Sequence, residues 1–262
     1  MTQIITGFHA IEEKVRRAED SGKIEGLTIQ LAKSGPRIKK ILEIAKKAGI
    51  PVVNCDMKSL DNLVKSIPEV ARDHRGIVMT AEGAPERAEN HIDFDQWILQ
   101  AKADQSGGKC TVIVLDSVTD PHNVGAIIRS CDQFGAALVV MPSRHSAKDF
   151  ADNEIIARAS AGSSAYVNVA VVINLVRAVQ QLKDAGFWVY GADAGGESVQ
   201  NIDFPAKTAV VMGSEGTGIA RLLEEQCDSI VSIPTCGKID SLNVSVAAGV
   251  LLYEIHRQYL MR

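Results

Sequence analysis

Apolar and polar positions along the chain follow two alternating periods, and each change of period marks an element. Residues 24–30 (IEGLTIQ) make a short apolar run expected to form a strand. Over Pro36–Ala48 the apolar residues Ile38, Ile41, Leu42 and Ala45 repeat with the helical period, behind a proline suited to a first turn and ahead of Gly49. A short strand at 51–54, a helix at 57–66 and a strand at 76–80 complete a small α/β unit. Residues 82–108 break the pattern: EGAPERAEN is polar and punctuated by Gly83 and Pro85, QSGGK is a flexible break, and only 94–103 between them reads as a helix. From Cys110 onward the alternation is strong. TVIVLDS at 111–117 is nearly continuous in apolar residues, as in a strand buried on both faces. Strands at 137–141, 166–172, 187–191, 208–212 and 229–233 alternate with helices near 123–134, 152–160, 174–185, 219–226 and 243–260. Strand and helix in strict succession predict a parallel sheet with helices on both faces. The expected division is a small α/β domain over 1–82, a linker over 83–108 and a second α/β domain over 109–262.

Composition sharpens this picture. With 46% hydrophobic and 23% charged residues the chain can build a packed core, and at 5% aromatic that core is aliphatic. No apolar run approaches the roughly 18 residues of a membrane helix. The first residues lack the cationic start and apolar stretch of a secretory signal, so a cytoplasmic protein without membrane attachment is expected. Five scattered cysteines with no C-x-x-C pair argue against a disulfide framework or a structural zinc site. The six histidines show no H-x-x-x-H spacing, and no metal site is expected. The net charge of −4 hides a division, +4 over residues 1–80 and −8 over the remainder. That is the balance of a basic module joined to an acidic one, although +4 on eighty residues is also an ordinary solvated surface.

In open α/β sheets ligands sit beyond the carboxyl ends of the strands, and polar, glycine-rich segments occupy those ends here. Asp120-Pro121-His122-Asn123-Val124-Gly125 follows the 111–117 strand and leads to Arg129; Gly213-Ser214-Glu215-Gly216-Thr217-Gly218 follows the 208–212 strand; Ser241-Leu242-Asn243-Val244-Ser245 opens the last helix. The common nucleotide motifs are missing. Gly213–Gly218 lacks the Gly-Lys-Ser/Thr of a phosphate-binding loop, and Gly216–Arg221 has Arg where a dinucleotide fingerprint needs its third glycine. This disfavours a nicotinamide-dependent oxidoreductase. No Gly-x-Ser-x-Gly nucleophile elbow occurs either. Taken singly, each residue also has an ordinary role: glycine in a turn, Asn123 as a helix cap, Arg129 as a surface charge. The residues alone lead to an α/β enzyme or binder with its site at these loops.

Together the three segments resemble the motifs of the SpoU (TrmH-like) branch of the SPOUT RNA 2'-O-ribose methyltransferases. The first runs from Leu115-Asp116-Ser117 through Asn123-Val124-Gly125-Ala126-Ile127-Ile128-Arg129, the second is Val211-Met212-Gly213-Ser214-Glu215-Gly216, and the third runs from Ile233-Pro234 to Ser241-Leu242-Asn243-Val244-Ser245. Gly7-Phe8-His9-Ala10-Ile11 and His74-Arg75-Gly76-Ile77 resemble the small RNA-binding domain that precedes many such enzymes, so the likeness covers nearly the whole chain. It is strongest to the bacterial enzymes that methylate a guanosine ribose in 23S ribosomal RNA.

The resemblance implies a C-terminal α/β-knot domain with a parallel sheet and a trefoil knot, S-adenosylmethionine as methyl donor, RNA as substrate and a homodimer. It places donor contacts at Gly213, Ile233 and Leu242, with Gly191, Ser241 and Ser245 beside them, and catalytic roles at Asn123, Arg129, Glu215 and Asn243. A guanidinium does not give up its proton in proteins. Arg129 is therefore expected to bind a flanking phosphate and stabilise the developing alkoxide, with Asn123 and Asn243 orienting it or the ribose. Glu215 is expected to anchor Arg129 or take up the proton. The homodimer is expected to use the last helix, where Val244, Ala247, Ala248, Leu251, Leu252 and Ile255 form an apolar stripe that could equally cover the chain's own sheet. A tRNA methyltransferase of the same family and a non-catalytic RNA-binding or ribosome-assembly protein are the competing readings.

Overall fold

The computed structural model describes residues 2–67, 69, 72–82, 90–104, 106–143, 154–214, 216–237 and 241–261. The chain builds two sheets. The first contains β1 (Thr2–Ile5), β2 (Leu27–Leu31), β3 (Val52–Asn54) and β4 (Ile77–Glu82) in the order β1-β4-β2-β3, antiparallel except for the β2–β3 pair. Helices α1 (Phe8–Ser21) and α2 (Pro36–Ala48) cover one face. Ile11, Val15 and Ala18 of α1 and Ile38, Ile41 and Ala45 of α2 meet Leu27, Ile29, Ile77 and Met79 there. Helix α3 (Met57–Leu63), capped by Asp56 accepting from Ser59 N at 2.8 Å, puts Leu60 against Val78 on the other face.

The second sheet has six parallel strands in the order β10-β8-β9-β5-β6-β7. These are β5 (Cys110–Leu115), β6 (Leu138–Pro142), β7 (Val169–Val172), β8 (Trp188–Ser198), β9 (Lys207–Met212) and β10 (Ser229–Ser232). Alternation along β5 divides the core. Ile113 and Leu115 face α5 (Pro121–Phe134), α6 (Glu154–Ala159) and α9 (Val244–Leu260); Val112 and Val114 face α4 (Phe94–Ala103), α7 (Leu175–Asp184) and α8 (Arg221–Glu224). Both faces are covered, which is why the strand reads as one apolar run.

Three features differ from the sequence reading. The chain opens with β1 and α1, neither of which the periodicity marked. The segment expected as a linker joins the second core from Asn90 onward: Asn90 Nδ2 donates to Ser164 O and Val167 O at 2.7 and 2.6 Å, and Phe94 and Ile98 are buried. Strand β8 continues seven residues past the expected end at Gly191, because β10 resumes pairing with it after a register shift, Val231 with Glu197 and Ser232 with Ser198. The expected 152–160 helix is present as α6; its first two positions, 152 and 153, lie outside the described residues.

Lys207 holds the second layer together at its base. Its Nζ donates to Ala101 O at 2.6 Å, Asp104 O at 3.2 Å and Ala185 O at 3.4 Å, so one ammonium serves the carboxyl ends of α4 and α7. Lys207→Met keeps the stem and strands those carbonyls, and is expected to cost about 2 kcal/mol in urea denaturation. A change within error would remove this role.

The two sheet units meet along α1 and α6, where Glu13 is 16% exposed, 3.4 Å from Arg17 Nε, and packed against Gly162, whose added Cβ would lie 3.1 Å from Glu13 Oε2. Burial pushes its carboxyl up to about 7, against the opposing pull of Arg17 and Lys14. The folded state then holds this proton more tightly than the unfolded chain. Stability from Glu13 is complete below about pH 4.5 and is lost as pH rises through about 7, by roughly 2–3 kcal/mol. Thermal melts of Glu13→Gln should lack that component of the pH dependence; identical profiles for both proteins would contradict it.

Candidate donor and catalytic site

The carboxyl ends of β8, β9 and β10 enclose a cavity of about 430 Å³, within the size range of cofactor sites. Its walls are apolar (Ala192, Met212, Val231, Leu242, Val244, Leu251) and its polar groups are Asp193, Ser214, Ser241 and the segment Ile233–Thr235. Backbone groups and aliphatic walls suit an adenine ring, and Asp193, the one acidic side chain among the described lining residues, suits a cationic ligand.

Each wall is fixed by local structure. Ser214 and Gly218 exchange backbone hydrogen bonds at 3.1 and 3.0 Å, and the Ser214 and Thr217 hydroxyls lie 2.7 Å apart, closing the loop after β9 into a tight turn. Buried Asp116, at the end of β5, pins the exit of that loop. Its N donates to Met212 O at 2.8 Å, its Oδ2 accepts from Ala220 N at 2.7 Å, and Ser117 Oγ donates to its Oδ1 at 3.1 Å. Asn243 caps α9, accepting from Ser245 N at 2.9 Å and from Ser245 Oγ at 2.6 Å. Its Nδ2 donates to Asn123 Oδ1 at 3.0 Å, joining the start of α9 to the first turn of α5. Asp120, with its carboxylate accepting from His122 N, is the cap of α5, so Asn123 is left to face Asn243.

The site residues named from sequence separate into groups. Gly213, Ile233, Ser241 and Leu242 line the cavity. Gly191 and Ser245 do not. Gly191 is buried behind the wall, where an added Cβ would meet Ile230 Cδ1 at 2.8 Å and Cys227 Sγ at 3.1 Å, and Ser245 is engaged by the Asn243 cap. Asn123 and Asn243 are brought together. Arg129 is exposed on α5 and is not in the cavity wall. Glu215 lies outside the described residues, as do 238–240 of the third motif. Sequence reasoning assigned no role to two acidic residues, Asp193 and Asp116, the second of them appearing only as part of the first motif. Asp116 directly follows β5 and Asp193 lies within β8, and at both a carboxylate after an apolar run was the available signal.

The stripe on α9 is also resolved. Val244, Ala248, Leu251, Leu252 and Ile255 are buried in the chain's own core. A second stripe, Val246, Val250 and Tyr253, is 52, 38 and 53% exposed.

Comparison with known proteins gives a consistent result. Residues 110–253 match the SpoU rRNA Methylase family, and residues 4–86 match the RNA 2'-O ribose methyltransferase substrate-binding family. An uncharacterized tRNA/rRNA methyltransferase of Borreliella burgdorferi is 36% identical over 231 residues, 86% of this chain and 96% of the relative. A Staphylococcus aureus protein assigned by name to the TrmH family of tRNA/rRNA methyltransferases is 35% identical over 256 residues, 97% of this chain and 96% of its own. The crystal structure of the SpoU methyltransferase AviRb from Streptomyces viridochromogenes, solved with AdoMet, superposes with a TM-score of 0.68 at 22% identity, covering 98% of this chain and 90% of AviRb. The shared fold is the SPOUT class, an α/β methyltransferase domain behind a small α/β domain.

Proposed function

The chain belongs to the SpoU rRNA methylase family, and on that premise we propose that it methylates a guanosine ribose 2'-hydroxyl in 23S ribosomal RNA. It is an RNA 2'-O-ribose methyltransferase that uses S-adenosylmethionine. The observation that carries the assignment of the site is the cavity at the ends of β8–β10, whose wall includes Gly213, Ile233 and Leu242. Bound there, S-adenosylmethionine supplies an electrophilic methyl group on a sulfonium. The chain's own residues do the rest. Asp193 complements the donor's positive charge, and the main chain of 233–235 and the apolar walls hold its adenine. The Asn243–Asn123 pair orients the ribose at the cavity mouth. Arg129 binds the flanking phosphate and stabilises the alkoxide as it forms.

Residues 1–82 capture RNA and 109–262 carry the chemistry, with the 90–104 segment packed on the latter. Lys33, Arg37, Lys39, Lys40, Lys46 and Lys47 are all exposed on and beside α2, giving the first unit its basic surface. The working form is a cytoplasmic homodimer joined through Val246, Val250 and Tyr253 of α9. A shared site of this kind accounts for Arg129 lying outside the cavity wall of its own chain. Sedimentation at micromolar concentration should show a dimer, and Tyr253→Glu a monomer; a monomeric wild type would overturn the dimer.

Calorimetry and methylation assays test the whole reading. S-adenosylmethionine and S-adenosylhomocysteine should bind in the micromolar range with no response to NAD. Unmodified 23S transcript should accept methyl groups at a guanosine ribose. Methylation of tRNA alone would move the assignment to tRNA, and donor binding without methylation of either RNA would favour a non-catalytic RNA-binding protein.

A further inference from the structure

Two sequence segments that the donor site leaves unused, Gly7–Ile11 and His74–Ile77, converge on one exposed surface. The Phe8 ring lies beneath two guanidiniums, with Arg37 Cζ at 5.7 Å and Arg75 Cζ at 5.8 Å from its centroid. Arg37 Nη2 sits 2.8 and 3.0 Å from the ring nitrogens of exposed His9. A guanidinium can donate only to an unprotonated imidazole nitrogen, so this contact requires neutral His9. Desolvation, Arg37 and then Arg129 depress its pKa, with Glu12 opposing them.

The arrangement is built, not incidental. Arg75 has φ +51, a conformation that costs a side-chain-bearing residue energy. It is held there by buried His74, which donates to Asp61 Oδ1 (3.0 Å) through Nε2 and accepts from Gly76 N (3.0 Å) through Nδ1. On the other side, Arg158 Nη2 donates to Thr6 Oγ1 at 2.6 Å and its side chain packs 3.4 Å from where a Gly7 Cβ would stand. Arg158 belongs to α6, and α6 packs on α5 at Gly125, where an added Cβ would lie 2.5 Å from Ala159 Cβ. A continuous series of packed contacts therefore fixes Phe8 relative to Arg129, one turn beyond Gly125.

A half-buried aromatic ring beside two exposed guanidiniums has the chemistry of a single-stranded RNA contact: phosphates pair with the guanidiniums and an unstacked base lies on the ring. The pairing of Arg75 Nε with Asp73 at 2.9 Å is between exposed groups and gives little resistance to a phosphate. We propose that Phe8, His9, Arg37 and Arg75 form a subsite for the unpaired nucleotide flanking the methylated ribose, delivered to Arg129 of the same chain. This rests on the RNA methyltransferase reading. Neutral His9 adds a hydrogen bond to the base edge, and the basic face of α2 continues the phosphate path.

The test uses the full-length protein and fluorescence anisotropy with a fluorescein-labelled single-stranded RNA across a salt series. Arg37→Gln and Arg75→Asn (Asn tolerates the left-handed backbone) should each lower the slope of log K against log [salt] by about 0.7. Phe8→Leu, which keeps the packing against the first core, should weaken binding about five-fold or more with the slope unchanged, and Phe8→Trp should restore it. The KM for 23S transcript should rise in step, with donor affinity by calorimetry at the wild-type value. Melting curves identify any variant that fails to fold, and the Phe8 pair then decides. Wild-type affinity and slope in folded variants of an active enzyme would overturn the subsite. A wild-type protein that binds no donor and methylates no RNA would instead overturn the function proposed above, whatever the variants do.

Discussion

Arg129→Ala should abolish methyl transfer, by about a thousand-fold or more in kcat, while S-adenosylmethionine binds within about two-fold of wild type. The expectation follows from position. Arg129 projects from α5 into solvent and makes no wall of the donor cavity, so its loss leaves the donor's contacts intact. Its proposed contacts are with the ribose phosphate and the oxygen that becomes charged during transfer, interactions strongest in the transition state. Arg129→Lys is the informative companion. Lysine keeps the charge and loses the planar fork that engages a phosphate through two parallel hydrogen bonds, so it should recover only a small part of the rate. Single-turnover rates with saturating RNA and donor measure this directly. A kcat near wild type in the alanine variant would remove Arg129 from the chemistry and leave it as a surface charge. A parallel loss of donor affinity would mean that it shapes the cavity from a distance.

How much of this was readable beforehand varied by level. Helix α2 was legible to the residue, because Pro36 starts it, Gly49 in the left-handed conformation ends it, and Ile38, Ile41 and Ala45 share one face. The six-stranded parallel sheet was legible from its apolar runs. Helix α1 was not. Its buried stripe is only Ile11, Val15 and Ala18 among charged residues, and Gly7 supplies no side-chain cap. The second half of β8, ADAGGES, has no apolar alternation and is a strand only because β10 pairs with it. The same limit applies to the site. The loops were legible as motifs, but the Asn243–Asn123 bond, the Asp116 pin and the meeting of Phe8 with Arg75 join residues tens of positions apart. Sequence spacing carries no record of such contacts. The α9 stripe shows the opposite failure: it was visible, yet two burial partners were possible, and the chain's own sheet took it.

Gly213→Ala should eliminate measurable donor binding, whereas Gly216→Ala in the same loop should have almost no effect. The two glycines look alike in sequence and differ in surroundings. A Cβ on Gly213 would lie 2.2 Å from Gly218 C, 2.3 Å from Gly218 O and 2.4 Å from Ile219 N. All three are backbone atoms of the turn closed by the Ser214–Gly218 hydrogen bonds, so no side chain can rotate away to relieve the clash. Relief requires opening that turn, and the opening displaces Ser214 and Gly218 from the cavity wall and pulls on the Asp116–Ala220 bond at 2.7 Å. Around Gly216 a Cβ meets nothing within 4 Å, and its φ is not in the left-handed region. Calorimetry with S-adenosylhomocysteine should therefore show at least a hundred-fold loss for Gly213→Ala, about 2.7 kcal/mol or more, against a near-wild-type isotherm for Gly216→Ala. Melting temperature separates the causes. A modest fall, of the size expected from opening one surface loop, with complete loss of binding places the effect at the site. Unchanged affinity in Gly213→Ala would mean that the donor does not rest against this loop and that the cavity at the ends of β8–β10 is not its site.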